Sequence, residues 1–165
     1  MDETGAGRTG GGARRSGRVG TGWKDEPIEA WKARQPTARA LYAAVRQNDV
    51  EGIRTLIGAG ADPDQLIGEY DDWTPLTWAA SAGQRAVVEL LLDAGVHPDS
   101  QNRFGYLPTV LAATSGPRPH WEIVELLLRH GADLDAEMKG RPARAWLDRA
   151  RTEHDRARPV DPHHD

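Results

Sequence analysis

An all-α solenoid of stacked helix-turn-helix units is the fold class that this chain predicts, and three observations predict it. Residues 72–99, DWTPLTWAASAGQRAVVELLLDAGVHPD, read as two short helices with a turn at Gly83 and a stop at Gly95. The second helix is apolar on more than one face through Val87, Val88, Leu90, Leu91 and Leu92, so it needs a neighbour on each side. The pattern also recurs along the chain. A shift of 35 residues puts Leu41 on Leu76, Ala44 on Ala79, Asn48 on Gly83, Ile53 on Val88, Leu56 on Leu91 and Gly60 on Gly95. A shift of 33 puts Pro75 on Pro108, Ala79 on Ala112 and Gly83 on Gly116; beyond that point the shift becomes 36. Pro117, Arg118 and Pro119 account for the three added residues in the inter-helix turn. One helical pair cannot bury this much leucine, whereas three stacked pairs can.

The elements follow in order. Residues 1–24 are rich in Gly and Arg with little that is apolar, and a disordered tail is expected. Gly5, Gly7 and Gly10 match a dinucleotide-binding spacing, but no strand precedes them, so that reading is rejected. Asp25, Glu26 and Pro27 predict the start of a short capping helix over residues 25–36 that lays Trp31 on the first repeat and ends at Pro36. Repeats are expected at 37–72, 73–105 and 106–139. Leu66 and Ile67 lie in the connection after the first and should pack on its neighbour. Thr74 is a preferred N-cap with Pro75 at the first helical position, and Trp73 and Trp78 have the spacing of a hydrophobic staple. Trp121 should cover the long inter-helix turn. Pro142 is expected to open a last helix within residues 140–157, with Ala143, Trp146, Leu147 and Ala150 on one face and Arg144 paired with Asp148 on the other. Residues 158–165 read as a polar tail.

Thr74, Pro75, Leu76, Thr77, Trp78, Ala79 and Ala80 resemble the TPLHxAA motif of the ankyrin repeat family, with Thr77 at its histidine. Gly60-Ala61-Asp62 and Gly131-Ala132-Asp133 resemble its GAD finger motif. The resemblance covers roughly Thr37 to Gly140. It implies an ankyrin-repeat solenoid with β-hairpin or loop fingers, whose partner meets the finger before each first helix and the end of that helix. Carried over, the partner-binding positions are Tyr70, Asp71 and Trp73 with Ser81 and Ala82, then Arg103, Phe104 and Tyr106 with Thr114 and Ser115. Arg, Tyr, Trp and Phe are also the residues enriched where interfaces concentrate binding energy. Stapling to Leu111 is the structural alternative for Tyr106.

Composition bounds the chemistry. Zero cysteines exclude a disulfide framework, a cysteine nucleophile and a thiolate metal site. The six histidines show no i,i+4 pair and no HExxH, and the serines lack a GxSxG setting, so neither catalysis nor a cofactor is expected. Residues 41–136 carry 6 basic and 14 acidic residues, net −8, between a head of net +3 and a tail segment of net +1. Nucleic acid is therefore not expected on the repeats, the Arg/Gly head being the one candidate, and a basic partner protein is. No apolar run approaches a membrane span, and cytoplasmic localisation and a monomer are expected. The expected function is non-catalytic binding of another protein through a concave groove and its fingers, without a small-molecule substrate. The alternatives are an inhibitor or immunity-type protein that masks an enzyme or toxin, and an accessory subunit of a larger complex.

Overall fold

A computed structural model describes residues 27–68, 72–115 and 120–157. Residues 1–26, 69–71, among them Tyr70 and Asp71, 116–119 and 158–165, and the side chain of Trp31, lie outside the described residues. The elements are α1 (Ile28–Arg46), α2 (Val50–Gly58), α3 (Pro75–Ser81), α4 (Arg85–Asp93), α5 (Pro108–Thr114), α6 (Trp121–Arg129), β1 (Glu137–Met138), β2 (Arg141–Pro142) and α7 (Ala143–Ala157). Helices α1 and α2, α3 and α4, and α5 and α6 form pairs that stack side by side. One layer runs α1, α3, α5, α7 and the other α2, α4, α6. This is the all-α solenoid that the repeat pattern predicts.

Local chemistry sets the helix starts. The Thr77 amide donates to Thr74 Oγ1 at 3.2 Å while the Thr74 amide donates to Thr77 Oγ1 at 3.0 Å, a reciprocal capping box. Thr77 performs there what a longer Glu or Gln usually does. Asp49 caps α2 by accepting from the Gly52 amide at 2.9 Å. The turns between paired helices use left-handed backbone at matched positions, Asn48 with φ 56° and Gly83 with φ 73°. Asn tolerates that conformation because its short polar side chain bonds locally.

Packing then locks one pair to the next. Leu41, Ile53, Leu76, Leu91, Ile123 and Leu127 are fully buried in one apolar cluster that runs along the stack from α1 to α7. Gln84 reaches back to donate from Nε2 to the Val45 carbonyl at 2.8 Å. The His120 ring lies against Gly83, where a Cβ would sit 2.5 Å from its Cε1. A second cluster, Leu107, Val110, Met138 and Ala143, joins the loop before α5 to the start of α7.

Three expectations are corrected. The helix expected over residues 25–36 does not end at Pro36: α1 continues through it to Arg46. The lost bond to the Lys32 carbonyl falls at an exposed position, open to solvent, while Ala38, Leu41 and Val45 anchor the following turns. Pro142 does not open α7 but pairs with Glu137 in the β1–β2 hairpin, which carries the chain into the helix at Ala143. Arg144 is bridged to Asp135 on the preceding loop rather than to Asp148.

Candidate functional site

Two tight turns and the ends of two helices make up the candidate site. In the turn before α5, Asn102 organises the backbone: its Oδ1 accepts from the Phe104 and Tyr106 amides, each at 3.0 Å, and its carbonyl accepts from Gly105 at 2.9 Å. Asn102 is only 2% exposed, so the turn has a buried root. Gly105 takes φ 74°, and the Arg103 amide donates to the Asp72 carbonyl at 3.0 Å, tying this turn to the preceding finger. Phe104 is left at the tip, 51% exposed on fixed backbone.

The neighbouring turn is the β1–β2 hairpin. Lys139 and Gly140 connect its strands with φ 54° and 71°, the two positive values of a type I′ turn. Lys139 Nζ lies 5.0 Å from the centre of the Tyr106 ring, and the Arg141 guanidinium lies 5.8 Å from that of Trp146. Trp146 Nε1 donates to the Met138 carbonyl at 3.1 Å, which holds the hairpin on α7. Tyr106 is seated against the cluster of Leu107, Val110 and Met138, and its ring lies 6.3 Å from that of Phe104. Lys139 and Arg141 were not singled out in the sequence, where Trp146 read only as part of the apolar face of the last helix. The available signal was a single Gly between two-residue strands, without the Asn-Gly that marks most such turns.

The other expected positions divide. Trp73 is half-buried, bridged through its backbone to Ile67 and packed edge-on to Trp78 at 5.5 Å, while Tyr42 meets Trp78 at 5.6 Å. Ile67 itself is fully buried, so it packs rather than projecting. Ser81 Oγ donates to the Trp78 carbonyl at 2.9 Å and Thr114 Oγ1 to the Val110 carbonyl at 2.7 Å. These two residues end the adjacent helices α3 and α5, with Ala82 exposed beside Ser81 and Ser115 half-buried beside Thr114. Trp121 packs on the main core beneath the Arg151 guanidinium, 5.3 Å from its ring centre.

Charge is segregated. Helices α3 and α5 bear no charged residue. Much of the repeats' acid lies on the other layer, at Glu51, Glu89, Asp93, Glu122 and Glu125, and in the aspartate turns between pairs, with Asp72 in the first finger. There Ser100 Oγ donates to Asp64, and the Asp133 amide donates to Asp99 Oδ2 at 2.9 Å, one rung per repeat. Burial pushes both the Asp64 and the Asp99 carboxyl above the usual aspartate range, opposed by the Ser100 hydroxyl and the Asp133 amide respectively. Among the described residues, no group of three His, Asp or Glu side chains is placed to hold a metal ion, and no helix is long and apolar enough to cross a membrane.

Sequence comparison agrees with this architecture. The family described as ankyrin repeats (3 copies) matches residues 38–138. The chain belongs to the ankyrin repeat family. It is 36% identical over 94 residues to serine/threonine-protein kinase 12 of Arabidopsis thaliana, a match covering 57% of this chain and 19% of the kinase. It is 36% identical over 76 residues to human 2-5A-dependent ribonuclease, covering 46% and 10%. The 26S proteasome non-ATPase regulatory subunit 10 of Dictyostelium discoideum is 45% identical over 66 residues, covering 39% and 27%. The match thus spans about a quarter or less of each of these relatives' lengths. Ankyrin repeats generally mediate protein–protein interaction and are typically non-catalytic.

Proposed function

We propose that this chain is a non-catalytic module that binds a partner protein through the α3/α5 layer and the turns leading into α5 and α7. The observation that carries this reading is Phe104, a large exposed aromatic held at the tip of a turn with a buried root. A rigid anchor loses little freedom on association, so more of its contact energy appears as affinity. Trp73 acts mainly in the core, and its share in binding is confined to its exposed edge. The ends of α3 and α5 supply small polar contacts at Ser81, Thr114 and Ser115. The positions Tyr70 and Asp71, outside the described residues, belong to the same proposed surface.

Net acidity of the repeats suggested a basic partner, and that acid is divided between α2, α4, α6 with the aspartate turns and the first finger, where Asp71 and Asp72 stand. The turns leading into α5 and α7 carry Arg103, Lys139 and Arg141, so net acidity alone does not set the charge of the partner there. Affinity capture with the full chain as bait tests the proposal. Phe104→Ala, and separately Ser81→Arg with Thr114→Arg, should each deplete the captured partner at least tenfold, whereas Glu125→Arg on α6 should leave it unchanged. Capture that survives the first two variants but fails with Glu125→Arg would put the interface on the opposite layer.

A further inference from the structure

We infer that the surface formed by the turn at residues 101–106 and the β1–β2 hairpin takes an acidic segment of the partner protein, one that alternates carboxylates with apolar side chains. The inference rests on the proposed reading of the chain as a partner-binding solenoid and adds the chemistry of what is bound.

The charges point this way. These two turns carry Arg103, Lys139 and Arg141 against a single acid, Glu137, in a chain whose repeats are otherwise net −8. Arg103 has interactions of its own within the chain. Lys139 and Arg141 are both exposed, each lying over an aromatic ring, Tyr106 and Trp146. A cation resting on a ring face still offers its outer side to an anion, and the ring reduces the freedom it must lose. Phe104, exposed and with its ring 6.3 Å from that of Tyr106, supplies the apolar contact.

Backbone strain gives an independent reason. Lys139 has φ 54°, a left-handed conformation that is uncommon for any residue but Gly, Asn or Asp. Asn in that position of a type I′ turn would be easier to accommodate. A lysine there costs stability, and what it brings to the surface is an ammonium over the Tyr106 ring. A polyanionic nucleic acid fits less well, because its many phosphates would also meet the acidic body of the solenoid within a Debye length. A peptide with few carboxylates feels chiefly the local cations.

The probes are two fluorescein-labelled peptides, alternating Asp and Leu or Lys and Leu around a central Trp, together with labelled poly(U), followed by anisotropy with the full chain. The acidic peptide should bind in preference to both others and weaken with added salt. Lys139→Asn should weaken that binding about tenfold while raising the melting temperature, because the turn is relieved as the charge is removed. Lys139→Arg should restore the binding, and Phe104→Ala should abolish it without loss of helical circular dichroism. Preference for the basic peptide, preference for poly(U), or an unchanged affinity in Lys139→Asn would each overturn the inference. If the acidic peptide does not bind while Phe104→Ala still abolishes capture of a partner, the acidic-segment inference fails and the binding function stands. If Phe104→Ala leaves capture intact as well, both fail.

Discussion

At the scale of single residues, the aspartates between repeats deserve a test because their burial and their ionisation oppose each other. Asp64 and Asp99 each accept a hydrogen bond from the next repeat, yet Asp99 Oδ1 is buried without a partner. Burial is the largest influence on both carboxyls and raises them above the ordinary value of 3.8. A carboxyl whose value is raised on folding binds its proton more tightly in the native state. Its contribution to stability is therefore fully present below the ordinary value and is lost as pH rises through the folded one. The double variant Asp64→Asn with Asp99→Asn lacks this loss. In urea titrations the wild type should gain stability relative to the variant as pH falls from neutrality towards the ordinary aspartate value. A constant difference across that range would mean that the two carboxyls titrate alike in folded and unfolded chains.

Elements are held in register by the turns between paired helices, and Gly83 shows how. Its positive φ ends α3, and the His120 ring at the start of α6 occupies the space a side chain would need. Gly83→Ala should cost about 2 to 4 kcal/mol in chemical denaturation, from left-handed strain together with overpacking. His120→Gly in the same chain should recover the packing share and not the strain. Half of this turn was readable in the sequence: Gly83 aligned with Asn48, and both positions do adopt the left-handed backbone. The His120 contact was not, because nothing in a linear repeat says which side chain of the next unit fills a glycine's space. The same division holds elsewhere. Thr74-Pro75 announced a helix start through local chemistry that needs no tertiary partner. Pro36 misled because its penalty depends on whether water can reach the carbonyl it orphans. The hairpin at Lys139 and Gly140 went unread because its lysine defies the turn preference, and that departure is what now draws attention to the site.

On the scale of the whole molecule, the two layers have different roles because their residues differ. Helices α2, α4 and α6 bury aliphatic side chains inward and carry charged residues, whereas α3 and α5 are uncharged and the latter begins at an aromatic turn. The stack was legible because a repeat multiplies each weak local signal, so Leu41, Leu76 and their counterparts confirm one another. At Phe104 and Tyr106 family position and residue type agreed, and Phe104 does stand exposed at the tip of its turn. At Trp73 the staple spacing was the part the structure answers, its ring packing on Trp78, and the charge around each turn was not legible because total composition cannot localise it. The measurement closest to the central claim is amide hydrogen exchange on the full chain with and without a captured partner. Added protection should appear at residues 102–106, at 137–142 and at the ends of α3 and α5, with α4 and α6 unchanged. Protection confined to α4 and α6, with exchange at Phe104 and Lys139 unaltered, would contradict it.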